Sequence, residues 1–256
     1  MVLLWLACAT TAPALAPLPP DEAPRAEPQV SLTVVPGVTL TAGVSGYLGV
    51  RYTISPGWHI YWENPGDSGI ATELQLRLPE GDVATATQFP APVTLVSAGN
   101  IVNYGYHDEV TLLVPVTPGP TPGPRVVTAE SRWLMCKEDR CVPGSGTASG
   151  DYTVGTAAGP DPLQAARAAL PRPLHESGLR VVESADSWSV ELQGTRLELY
   201  PSLGLEPALG PRAPASDAVG RRVDLTLDRA GLGPDARLVL RTDAGTFVTT
   251  FAKEYP

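Results

Sequence analysis

From Gln29 onward, apolar residues fall in short runs or at every second position, and turn residues separate them. Val30 to Val35 is a β-rich stretch ended by Pro36-Gly37, and Val44 to Ile54 alternates with period two from Leu48. After Pro56-Gly57, Trp58-His59-Ile60-Tyr61-Trp62 resumes the pattern, and Glu73 to Leu78 alternates polar residues with Leu74, Leu76 and Leu78. Val110 to Val116 and Val126 to Leu134 follow, with the turn-rich Pro118 to Pro124 between them. Each run has the length, period and flanking turn chemistry of a strand. One short helix is expected over Asp161 to Leu170, between Pro160 and Pro171. Beyond it, strands are expected at Leu179 to Glu183, Trp188 to Leu192, Leu197 to Tyr200, Val223 to Leu227, Arg237 to Arg241 and Thr246 to Phe251. The pattern predicts an all-β protein: an immunoglobulin-like β-sandwich followed by a second, smaller β domain.

Composition agrees with many short strands. The 256 residues include 28 Pro and 25 Gly, which disfavour long helices. A net charge of −9 without a basic cluster argues against nucleic-acid binding. The first residues, Met1 to Ala16, are apolar and too short to span a bilayer, and Ala14-Leu15-Ala16 fits a cleavage site. Residues 1–16 therefore read as a signal peptide, or as a lipoprotein signal that acylates Cys8 and supplies a lipid anchor. A Pro-rich, charged linker follows over 17–28, then a sandwich over 29–158 and the second β domain over 159–256.

An exported protein meets an oxidising compartment, so localisation is expected in the periplasm or on a membrane facing it. With Cys8 assigned to the signal, Cys136 and Cys141 remain as an isolated pair. Lys137-Glu138-Asp139-Arg140 lies between them, so the loop they would close is tiny, charged and turned to water. Closing so short a loop removes little chain entropy, which makes a purely stabilising bridge inefficient. A partner thiolate reaches such a bond readily, and exchange needs that access. Thiol exchange is the leading reading; a structural staple, and a Cu(I) site built from the pair with His107 or Met135, are the alternatives. No cofactor is required for exchange, and no metal site is assigned.

Four separated segments carry a resemblance: Gly57-Trp58-His59-Ile60-Tyr61-Trp62-Glu63-Asn64-Pro65-Gly66-Asp67-Ser68-Gly69, Phe89-Pro90-Ala91-Pro92, Tyr104-Gly105-Tyr106-His107-Asp108-Glu109-Val110, and Cys136 to Pro143. Their order resembles the periplasmic N-terminal region of the DsbD/ScsB thiol:disulfide interchange family, nearest its ScsB (suppressor of copper sensitivity) branch. The resemblance spans about Val30 to Val154; Asp161 to Pro256 matches by position only. It implies a sandwich that takes electrons from a membrane-embedded donor and passes them to periplasmic thiol/disulfide proteins. Cys136 and Cys141 would be the redox pair and Tyr61 an aromatic beside it. Ala98 to Tyr106 would be a cap loop, with Tyr104 or Tyr106 as the shielding aromatic. Larger members continue into a transmembrane module and a thioredoxin-like domain; this chain carries neither, so a separate donor is expected. A non-catalytic exported binding module and a copper-handling protein are the rival functions. Independently of the resemblance, Trp58, Ile60 and Trp62 fit one strand face, His59 and Tyr61 the other, and Asn64-Pro65-Gly66-Asp67 a turn.

Overall fold

The computed structural model describes residues 29–251 except 98, 139, 158, 185–186, 192–196, 203, 206–221, 227 and 234. The export signal, Cys8 and the Pro-rich linker thus lie outside the described residues.

The first half contains β1 (Val30–Val34), β2 (Val38–Thr41), β3 (Gly46–Ile54), β4 (His59–Gly66), β5 (Glu73–Arg77) and β6 (Val83–Ala84). It continues with β7 (Val93–Ser97), β8 (Ile101–Tyr106), β9 (Glu109–Thr117), β10 (Gly123–Lys137) and β11 (Arg140–Gly155). One sheet has the order β1-β3-β9-β6. The other, seven-stranded, runs β2-β11-β10-β4-β8-β7, and β5 also pairs with β10. Their inner faces form the core: Leu48, Val50, Tyr52 and Ile54 of β3 and Val110, Leu112, Val114 and Val116 of β9 meet Ile60, Trp62, Val127, Ala129 and Trp133. This is the immunoglobulin-like sandwich that the alternation predicts.

The strands of this half absent from the sequence reading are β2, β6, β7, β8 and β11. The last is the most instructive. Val142-Pro143-Gly144-Ser145-Gly146 has turn composition, yet β10 and β11 pair without interruption from Gly123↔Val154 to Lys137↔Arg140. Small residues are needed there because Trp133 lies across the strand. A Cβ on Gly144 would stand 2.5 Å from the Trp133 indole nitrogen, and one on Gly150 would stand 2.7 Å from Val34. The glycines make room for the facing strands and side chains, so their composition misleads a local reading. The expected turn at Asn64 to Asp67 is also revised: β4 continues to Gly66 through a register shift after Tyr61.

Helix α1 is shorter than expected, Gln164–Ala168. Leu163 precedes it and is buried in the sandwich core. The second half comprises β12 (Arg172–Pro173), β13 (Arg180–Glu183), β14 (Ser187–Glu191), β15 (Leu197–Pro201), β16 (Arg222–Thr226), β17 (Arg237–Thr242) and β18 (Gly245–Thr250). They form sheets β12-β18-β17-β15 and β13-β14-β16 around a core of Trp188, Leu197, Leu199, Leu225, Leu238, Leu240 and Phe247. The chain is thus a sandwich followed by a smaller β unit. The halves meet where Tyr200 packs edge-on against Trp62 and Tyr104, with centroids 6.3 and 5.5 Å away. Asn64 Nδ2 donates to the Pro201 carbonyl at 2.8 Å, and Arg237 Nη2 pairs with Glu63 at 2.6 Å.

Candidate functional site

The long β10–β11 hairpin carries its chemistry at its tip. Cys136 and Cys141 occupy directly opposed positions, are joined by a disulfide and have Cα atoms 4.1 Å apart. Lys137 pairs with Arg140 at the end of the hairpin, and Glu138 adopts φ +53°. Such a φ is uncommon outside Gly, Asn and Asp. The two sulfurs differ in environment: Cys136 is buried at 1% exposure, whereas Cys141 is exposed.

The pair lies on the outer face of the seven-stranded sheet, because alternation fixes which side chains share a face. Trp133 of β10 points into the core, whereas Cys136 points out. On β4, Ile60 and Trp62 enter the core while His59 and Tyr61 line the outer cavity. Cys136 stands opposite His59 in the β10–β4 register. Tyr61 Oη donates a hydrogen bond to Cys136 Sγ at 3.1 Å. Burial pushes the Tyr61 phenol up, so the hydroxyl keeps its proton and remains a donor. The His59 ring meets the Tyr61 ring edge-on at 5.3 Å. Burial, seconded by the nearby His107 charge, pushes the His59 imidazole down.

The segment after β4 builds the floor. A Cβ on Gly69 would lie 2.4 Å from the Tyr61 ring, so glycine lets that ring settle. Asn103 of β8 accepts hydrogen bonds from the Ser68 N–H at 3.0 Å and the Ser68 hydroxyl at 3.1 Å. Asp67 accepts the Val102 N–H at 2.7 Å. Gly66, at φ +86°, approaches the β8 backbone so closely that a Cβ would meet the Val102 carbonyl oxygen at 2.4 Å. Gly66-Asp67-Ser68-Gly69 therefore ties β4 to β8 and seats Tyr61 against the sulfur.

The wall facing the disulfide comes from Leu95, Val96 and Ser97 of β7 and Ile101 and Asn103 of β8. Val96 and Ile101 are 69% and 38% exposed, unusual for such side chains. Ile101 and Asn103 fall within the expected cap stretch Ala98 to Tyr106, whereas Leu95, Val96 and Ser97 lie outside it and are not among the sequence-based candidates. The alternating Val93-Thr94-Leu95-Val96-Ser97 run carried a signal for the strand, but nothing local tied it to the cysteines.

Tyr104 and Tyr106 lie elsewhere. Both point from β8 toward the core and are 7% exposed. Tyr104 stacks edge-on against Trp62 and Tyr200, and the Tyr106 hydroxyl donates to the Pro90 carbonyl at 2.6 Å. The structure thus gives them no place over the disulfide. Their odd-even position is the reason: Asn103, between Val102 and Tyr104, takes the outer face. Ala98, which opens the expected cap, lies outside the described residues. Of the other sulfur and nitrogen candidates, Met135 is partly buried against the core, and His107 pairs with Asp108 at 2.6 Å. Among the described residues no cluster of His, Cys, Asp and Glu gathers to hold a metal.

Comparison with known proteins follows this geometry. Residues 33–150 match the family described as thiol:disulfide interchange protein DsbD, N-terminal. The structure resembles the N-terminal periplasmic domain of ScsB from Proteus mirabilis, with a TM-score of 0.56 and 16% identity over 87% of this chain and 91% of that one. The N-terminal domain of Neisseria meningitidis DsbD in its reduced form also aligns, with a TM-score of 0.28 and 16% identity over 48% of this chain and 90% of that one. No curated protein sequence matches the chain. The matched stretch holds most of the sandwich, the disulfide hairpin and the Gly66–Gly69 floor, and over residues 33–150 the chain is similar to the DsbD N-terminal domain family.

Proposed function

We propose that this protein performs thiol:disulfide exchange in the periplasm, relaying electrons from a membrane-embedded donor to periplasmic client proteins through Cys136 and Cys141. The carrying observation is the asymmetry of the bridge: one exposed sulfur, and one buried sulfur held by a phenol. A partner thiolate attacks Cys141 Sγ, the reachable atom. The new bond joins partner and Cys141; the Cys136–Cys141 bond breaks and its electron pair leaves on Cys136. Tyr61 Oη already donates to that sulfur, and the same hydrogen bond strengthens as the sulfur becomes anionic. The partner's second thiolate then attacks its own sulfur in the mixed disulfide. The partner leaves oxidised and the domain leaves with two thiols. Reversing these steps passes the electrons to a client. The family match over 33–150 supports this chemistry, and the ScsB-like fold supports a periplasmic setting.

The test is trapping. A Cys136→Ala variant keeps the exposed attacking sulfur and lacks the one that resolves the complex. It should accumulate a mixed disulfide through Cys141 with a thioredoxin-fold protein whose single cysteine is activated as a disulfide with thionitrobenzoate, which leaves as the free thiolate, and Cys141→Ala should not. Equal trapping by both variants would overturn the assigned order of attack. Trapping by neither would overturn the function.

A further inference from the structure

Nothing so far gives His59 a task, yet several observations converge on it. It stands opposite Cys136 in the strand pairing and lines the same cavity. Its ring rests on Tyr61, whose hydroxyl donates to Cys136 Sγ. Its Nε2 atom is buried and has no hydrogen-bond partner among the described residues. An unpaired ring nitrogen inside a cavity is costly to maintain. Its presence beside a bond that releases a negative charge on opening points to a use in that second state.

We propose that His59 takes up a proton from solvent when the disulfide is reduced, and that the resulting imidazolium compensates the charge of the Cys136 thiolate. The proposal deepens the exchange reading of this site and rests on it for its biological meaning. The reaction balances simply. Two electrons from a dithiol open the bond, Cys136 leaves as a thiolate, Cys141 takes the second thiol position, and His59 gains one proton. In the oxidised state burial and His107 both oppose that proton. A thiolate at the opposed strand position, in the same cavity, reverses the balance, since an opposite charge close by favours the charged form. The surrounding groups leave this step to the sulfur. Tyr61 on the same strand is a phenol whose proton burial retains. Glu138 and Cys141 line the cavity from the turn and β11, and the Lys137 side chain lies over Gly57. Beyond β8, His107 is paired with Asp108.

His59 acts through charge on Cys136, so the test reads protonation directly. The chain has three histidines, and their ring C–H signals can be titrated by NMR. In wild-type protein, the His59 midpoint should rise by about one pH unit or more when the disulfide is reduced with dithiothreitol. His107 and His175 should move much less. Without any reductant, the His59 midpoint should already stand above that of the oxidised wild type in Cys141→Ser, which keeps the Cys136 sulfur, and should not be raised in Cys136→Ser. The reduction potential of His59→Gln should also lose one proton's share of its pH dependence between the two midpoints, a factor of ten per pH unit, or about 30 mV for two electrons. An unchanged His59 midpoint on reduction overturns the proposal, as does a raised midpoint in Cys136→Ser. The wild-type titration requires no variant to fold and uses a small-molecule reductant. Failure to exchange with protein partners would therefore sink the relay and leave this result standing.

Discussion

At Tyr61 one hydroxyl separates a buried sulfur that leaves readily from one that does not. Tyr61→Phe keeps the ring on Gly69 and removes only the donor. Hydrogen bonds to charged groups contribute about 1.5–3 kcal/mol. Loss of this one should lower the equilibrium for reduction by dithiothreitol about ten- to a hundredfold, measured by redox titration. An unchanged equilibrium would show that the phenol does not hold the thiolate. Gly69→Ala reaches the same atom by another route. Its Cβ collides with the Tyr61 ring, and the backbone at φ +102° resists a side chain. It should lower the thermal midpoint and reproduce the Tyr61→Phe defect together. His59 adds a pH signature. Its imidazole is pushed down in the folded, oxidised protein, so the unfolded chain binds the proton more readily. The stability linked to it is present above the unfolded value of about 6.5 and is lost as pH falls below that value. His59→Gln should flatten this decline in urea unfolding between pH 7 and 5.

The β10–β11 hairpin is the element whose sheet geometry sets the disulfide. Its register brings the cysteines opposite each other, and its glycines let Trp133 pack beneath the strand that presents Cys141. The bridge closes a loop so short that its contribution to chain entropy is about 2 kcal/mol. Cys136→Ala/Cys141→Ala should therefore remain folded, with a loss of about that size in denaturant unfolding, while all exchange disappears. Gly144→Val should lower stability in the same denaturant unfolding while keeping both cysteines. Its side chain must displace the Trp133 indole, and overpacking of that kind costs about 1–3 kcal/mol. The cysteines were legible as a pair because they stand alone in a charged loop. The strand carrying Cys141 was not legible, because close approach demands the Gly-rich composition that usually marks a turn.

Across the whole molecule, β4 joins two regions. His59 and Tyr61 face the disulfide, while Trp62, Glu63 and Asn64 meet the second half. Glu63 reports on that contact. Burial pushes its carboxyl up, and the Arg237 guanidinium offsets only part of the rise. The folded state therefore binds this proton more readily than the unfolded chain does. Its contribution to stability is greatest below the unfolded carboxylate value and declines as pH rises through the folded one. Glu63→Gln should remove that decline, seen as a smaller loss of stability than wild type across the weakly acidic range. A decline of equal size in both proteins would show that Glu63 carries no such linkage.

The amino-acid sequence by itself determined the all-β class, the main strands with period-two alternation, the short helix and the isolated cysteine pair. These follow from local information: side-chain period, turn residues and the scarcity of cysteine. It also placed His59 and Tyr61 together, on the β4 face away from Trp58, Ile60 and Trp62. Only the tertiary structure decided what that face meets. Strand pairing set Cys136 across from His59 and brought Leu95, Val96, Ile101 and Asn103 from 33 or more residues away to wall the site. It also turned Tyr104 and Tyr106 inward. A one-residue change of register moves a side chain to the opposite face of a sheet, and register is set by partners distant in sequence. The cysteine pair could therefore be read from the chain, whereas the environment that makes its two sulfurs unequal arises only when the strands are assembled.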